Sequence, residues 1–176
     1  MLIFEIENSM KKTFLLFVLL FLSLAEMRAQ FLWAEIGVDG LTCSACSRSV
    51  EMSVRKLDFV DSVVMNLEHT DGKVYFKKSA KVEPDKIAQA VVNAGFSVRF
   101  LKANFNFSTT PVKEGQFTFD NTIYHFVKTP AGELKGEHVV TFIGKDFLSK
   151  KEFSHWKNEL KPISSDKKTK VYYIVL

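Results

Sequence analysis

Cys43 and Cys46 are the only two cysteines in this chain of 176 residues, and they sit three apart as Cys-Ser-Ala-Cys. Thiolates at that spacing can converge on one ion, or close on each other as a disulfide. Two soft sulfur ligands in a short loop suit a soft cation such as Cu(I). They are too few to complete a structural zinc site, and they exclude a Cys₄ zinc or iron–sulfur centre within one chain.

The pair has a place in the local pattern. Leu32, Ala34, Ile36 and Val38 alternate with Trp33, Glu35, Gly37 and Asp39, which predicts a strand. Gly40 breaks it. Val50, Val54 and Leu57 then recur at helical spacing, with Ser44 placed to cap the helix. The cysteines thus fall at a strand-to-helix junction. Free N–H groups and the positive end of a helix dipole favour a thiolate there.

The rest of the first half continues this alternation. Val63, Met65 and Leu67 predict a second strand, with His69-Thr70-Asp71-Gly72 as a hairpin turn. Val74 and Phe76 mark a third. Pro84 opens a second helix with Ile87, Val91 and Ala94 on one face, and Gly95 ends it. Phe96 to Leu101 supplies a fourth strand. The order β-α-β-β-α-β predicts an α+β, ferredoxin-like sandwich over residues 31–102.

Within that order, Gly40-Leu41-Thr42-Cys43-Ser44-Ala45-Cys46 and the later Ala94-Gly95-Phe96 resemble the heavy-metal-associated domain family. That family includes copper chaperones, N-terminal domains of copper ATPases and periplasmic mercury-binding proteins. The resemblance implies that Cys43 and Cys46 are metal ligands, with Phe96 and Thr42 shielding them from solvent. It implies Cu(I) as cargo, with Hg(II) and Zn(II) as alternatives, and a metal-transport or metal-accepting protein as partner. The family usually carries Met before the Thr. This chain has Leu41, a replacement of similar volume.

Residues 103–176 show short strand patterns at Phe105–Phe107, Phe117–Phe119, Ile123–Val127, Val139–Ile143 and Val171–Leu176, with a helix over Lys150–Leu160. They predict a second, β-rich domain with one helix, resembling a small OB-type barrel. Its phenylalanines read as core rather than as a base-stacking platform, so nucleic acid is not an expected partner. His125, His138 and His155 lie in this half at spacings that match no local metal motif, and His69 reads as a surface turn residue. Lys150, Lys151, Lys157, Lys161, Lys167, Lys168 and Lys170 read as a solvated face. No nucleophile–base pairing or Gly-rich phosphate loop can be picked out, so an enzyme is not expected.

Lys11 and Lys12 precede an apolar run, Phe14–Ala25, and Ala29 follows at a plausible cleavage point. The run is short of the ~20 residues of a membrane span. It predicts a signal peptide over residues 1–29, an initiation site at Met10 as an alternative to Met1, and export to a bacterial periplasm with no transmembrane span in the mature chain. In such a compartment the cysteine pair can oxidise, which leaves a thiol–disulfide redox protein as the competing reading. A mild excess of positive charge, +4 over the whole chain, selects no partner class by itself.

Overall fold

The computed structural model describes residues 31–160, 162–163 and 169–176. The expected signal peptide lies outside the described residues, as do Lys161, Lys167 and Lys168. Strand β1 (Phe31–Asp39) leads to helix α1 (Ser44–Arg55). Then come β2 (Val60–Asn66), β3 (Asp71–Phe76), α2 (Pro84–Asn93) and β4 (Ser97–Asn106). This is the expected split βαβ order. The strands pair as β2-β3-β1-β4, and each pair is antiparallel.

Periodicity explains the packing. Ala34, Ile36 and Val38 of β1, Val63 of β2, Val74 of β3 and Leu101 and Ala103 of β4 are all buried. Val50 and Val54 of α1, with Ile87, Ala88 and Val91 of α2, are buried with them in one core. Each fully buried valine, leucine or isoleucine among them contributes about 1.5–3 kcal/mol to folding. The hairpin turn differs from the expected one. It is made by Leu67–Thr70, with Thr70 at φ 52°, while Asp71 and Gly72 already belong to β3. Gly72 is there for space: a Cβ on it would lie 2.5 Å from the Met65 sulfur.

The second half does not build a separate OB-type barrel. After a 3₁₀ turn (Phe107–Thr109), β5 (Gln116–Phe119), β6 (Thr122–Phe126), β7 (Glu137–Ile143), α3 (Lys150–Trp156) and β8 (Lys170–Val175) extend the first sheet. The result is one eight-stranded sheet of order β2-β3-β1-β4-β7-β8-β6-β5. All neighbours are antiparallel except β6 and β8. β4 is the shared member, because it pairs with β1 on one side and with β7 on the other. Residues 102 and 103, where the sequence pattern suggests a boundary, are consecutive in this strand and pair with Thr141 and Val140. Helix α3 stops at Trp156, short of the expected Leu160.

An aromatic cluster fills the space behind the shared strand. The Phe105 ring lies 4.8 Å from that of Phe31, 4.7 Å from Phe107 and 4.8 Å from Phe117. Phe31 also reaches Phe119 of the edge strand at 5.9 Å. The sheet therefore curls until β5 approaches β1 through side chains, without strand pairing between them. Tyr124, Phe142, Phe147 and Tyr172 extend the cluster. Burial pushes the Tyr124 and Tyr172 phenols far above the ordinary tyrosine range, so both stay neutral. The Tyr172 hydroxyl bonds Asp85 at the start of α2, a second tie between the halves.

Phe105→Ala is expected to cost about 3–5 kcal/mol in chemical denaturation, because it empties the centre of this cluster. Limited proteolysis is expected to cut the exposed loops at 111–114 or 128–133 before residues 102–105. Early cutting at 102–105 would show that β4 is not continuous in solution. A third outcome concerns pH. Burial lowers the pKa of His125 on β6, whose Nδ1 has no hydrogen-bond partner. An unfolded histidine ionises near ~6.5, so below that pH the unfolded chain takes a proton that the folded chain disfavours, and stability falls. The ring is partly exposed, so the effect is small. His125→Gln should flatten the fall in Tm below that pH.

Candidate metal centre

The geometry of the cysteine loop follows from three local choices. Gly40 ends β1 at φ +88°, in the left-handed region that favours glycine, and turns the chain toward the helix. Leu41 then turns inward and is 4% exposed, so it anchors the loop in the core. Thr42 and Cys43 are left facing solvent. Leu41 thus fills a core position, consistent with a replacement of similar volume for the Met that the family usually carries there.

The helix cap differs from expectation. Cys43, in extended conformation at φ −150° and ψ 159°, takes the N-cap position assigned to Ser44, and Ser44 becomes the first helical residue. The Cys43 sulfur accepts a hydrogen bond from the Cys46 N–H at 3.3 Å. The Ser47 N–H donates to the Cys43 carbonyl at 3.1 Å. One ligand candidate therefore caps the helix that carries the other. No acidic residue occupies the first turn, so nothing there opposes negative charge on the sulfurs, and the helix dipole favours it.

The Cα atoms of Cys43 and Cys46 are 5.2 Å apart, and their sulfurs pair as a disulfide. Cys43 is exposed and Cys46 half-buried. Reduction of this bond would leave two thiols side by side on one accessible turn. No carboxylate or imidazole joins them. Among the described residues there is no group of three or more His, Cys, Asp or Glu side chains placed to hold a metal. His125, His138 and His155 therefore do not assemble a second centre, and His69 stays an exposed turn residue.

Phe96 reaches the loop from the other side. Gly95, at φ +90°, follows the C-cap of α2, and the Phe96 N–H returns to the Val91 carbonyl at 3.2 Å. This Schellman turn folds Phe96 back over the helix end. Its Cδ1 lies 3.7 Å from where a Cβ on Gly40 would stand. The ring thus flanks the entrance to the loop, half-buried.

Arg99 is a residue that periodicity did not single out. Its guanidinium donates to the Thr70 hydroxyl at 2.7 Å and to the His69 carbonyl at 2.8 Å. The Thr70 carbonyl in turn accepts the Val38 N–H at 2.9 Å. Arg99 therefore pins the β2–β3 turn to the end of β1 from which the cysteine loop departs. Its position in β4 gave no sequence signal, since an arginine in a strand usually reads as a solvated side chain.

Comparison with known proteins gives a consistent picture. A family model described as the heavy-metal-associated domain matches residues 35–97. The copper chaperone CopZ of Bacillus subtilis (strain 168) is 39% identical over 61 residues, which cover 35% of this chain and 87% of the chaperone. The cation-transporting ATPase HMA5 of Oryza sativa subsp. japonica is 31% identical over 83 residues, covering 47% of this chain. The match spans only 8% of that ATPase's length. Among solved structures, oxidized MerP from Ralstonia metallidurans CH34 is 31% identical, with a TM-score of 0.35, covering 39% of this chain and 96% of that one.

Gly40→Ala is expected to destabilise the fold by about 1–2 kcal/mol, because a Cβ disfavours the left-handed backbone that starts the loop. A Tm equal to that of the unmodified chain would show that the loop can leave β1 by another route.

Proposed function

Because the chain belongs to the heavy-metal-associated domain family, we propose that it is an exported soft-metal carrier or scavenger whose cargo is Cu(I). Cys43 and Cys46, once reduced, would bind one ion as a pair of thiolates. A partner supplying its own thiolates would take the ion by ligand exchange, one sulfur replacing another while the ion stays coordinated. The observation that carries this reading is the placement of both cysteines, and no other metal-binding side chain, on one exposed turn at a helix N-terminus. Two sulfurs hold a soft ion that prefers low coordination, and they leave it open to an incoming ligand.

Thr42 beside the pair and Phe96 at the loop entrance would limit water access to the ion. Hg(II) is the alternative cargo, since it shares the preference for two thiolates. Zn(II) would need further ligands from elsewhere to complete its four. An export signal at residues 1–29, as read from the sequence, would put this work in the periplasm. Among the described residues no helix is long and apolar enough to cross a membrane.

A second reading has one observation in its favour, the pairing of Cys43 with Cys46 as a disulfide. As a redox protein the reduced pair would pass two electrons and two protons to a substrate disulfide and close on itself.

The two readings part in one experiment. Anaerobic titration of the reduced mature chain with Cu(I), against a competing chelator, should show one tightly bound equivalent. A Cys43→Ser/Cys46→Ser variant should lose it. Weak or variant-insensitive binding, with turnover on a disulfide substrate, would replace the carrier by the redox reading.

A further inference from the structure

The family match ends at residue 97, yet the chain beyond it returns to the metal-loop end of the sheet. After β7, the Phe147 and Leu148 N–H groups both bond the Gly144 carbonyl at 3.1 Å, which reverses the chain. Leu148 forms an antiparallel bridge with Phe100, and the Ser149 N–H donates to the Arg99 carbonyl at 3.0 Å. Phe147 and Leu148 are buried, while Lys145, Asp146 and Lys150 face solvent. The segment is thus held rigidly at the start of β4 by the same Arg99 that pins the β2–β3 turn.

A cleft of about 640 Å³ separates this segment from α2. Asp39, Val92 and Ser97 line one side, and Lys145, Asp146 and Lys150 the other. Asp39 adjoins Gly40, and Ser97 adjoins Phe96. Val92 exposes 53% of its surface here, an apolar side chain with no cover.

We propose that residues 145–150 form the outer rim of the docking surface for the protein that exchanges metal with Cys43 and Cys46. The partner is one that presents its own thiolate pair on an exposed loop. This rests on the carrier reading above. Ligand exchange brings the partner's sulfurs to the ion itself, so the two surfaces must meet over residues 42–46. Even a modest complex covers several hundred Å² per partner, a disc of roughly 12–15 Å radius. Asp39 is four residues from Cys43, so chain length alone holds the two within about 14 Å. The inner wall of the cleft therefore lies under the partner, and the outer wall, across the cleft from it and tied to β4 through Leu148 and Ser149, borders the same footprint. Val92 supplies apolar contact between them. The mixed charges Asp39, Lys145, Asp146 and Lys150 would set orientation and association rate more than affinity.

The test uses the reduced full chain loaded with Cu(I), with the apo copper chaperone CopZ of Bacillus subtilis as probe. Amide shifts on addition of the probe should appear at residues 40–47, 92 and 97, and also at 145–150. Lys145→Glu/Lys150→Glu should change the rate of copper transfer by about threefold or more at low salt, with the difference fading at high salt. Copper affinity against a small chelator should stay the same. A control reversal of equal size at Lys78 and Lys81, in the connection between β3 and α2, should leave the rate alone. Shifts absent from 145–150, with a rate insensitive to the reversal, would overturn the inference and leave the carrier reading intact. Failure of the unmodified chain to hold Cu(I) against the chelator would instead overturn the carrier reading, and the inference with it.

Discussion

The pairing of β4 with two neighbours is the constraint on which the rest of the molecule depends. Its ladder to β1 completes the four-stranded unit that carries the cysteine loop, and its ladder to β7 starts everything that follows. Phe105, fully buried in this strand, sets the aromatic contacts behind both. A strand shared in this way couples the two halves more firmly than a linker could, because neither half can satisfy its backbone hydrogen bonds without it.

The cysteine loop inherits its rigidity from that frame. Leu41 is held in the core, Phe96 is folded back by the Schellman turn, and Arg99 ties the neighbouring turn to β1. Only Thr42, Cys43, Ser44 and Ala45 are left fully exposed between these anchors. The proposed ligand exchange would not need the scaffold to move, since the Cys43 sulfur lies on an exposed turn. Preorganisation of this kind reduces the ordering cost when a partner docks.

The first half was legible from sequence because its signals agree with one another. Val50 and Val54 at helical spacing, Pro84 at a helix start and Gly95 at a helix end all coincide with the observed elements. The Asp71-Gly72 turn misled, since Gly72 answers to the bulk of Met65 rather than to a turn conformation. In the second half the strand positions were visible but their arrangement was not. Alternation reports which residues face a core, and it carries no information on which strand lies beside which. Leu101, Ala103 and Phe105 alternate with Lys102 and Asn104 without a Gly or Pro break, so the strand pattern runs on through the expected boundary, but nothing in Val139–Ile143 says that it pairs there. At the site, the position of the cysteines at a strand-to-helix junction was legible from the pattern, and Phe96 lies beside that junction. The capping role of the Cys43 sulfur and the Arg99 clamp needed coordinates, because both depend on backbone geometry rather than on residue type.

The parallel pairing of β6 with β8 bears on how the molecule can be made. β8 lies between β6 and β7 in the sheet, although it follows both in the chain. Until residues 170–175 are in place, β6 and β7 each present an unsatisfied edge, and Phe142 and Tyr124 lack Tyr172 as a neighbour. The ladders that join β2, β3, β1 and β4 to one another need no residue beyond 106, although Phe31 and Phe105 still wait for Phe117 and Phe119. Assembly is therefore ordered in time. The cysteine-bearing part can pair its strands first, while the remainder holds open strand edges until the last strand slots into place, a window in which a chaperone that covers exposed edges would have most to do.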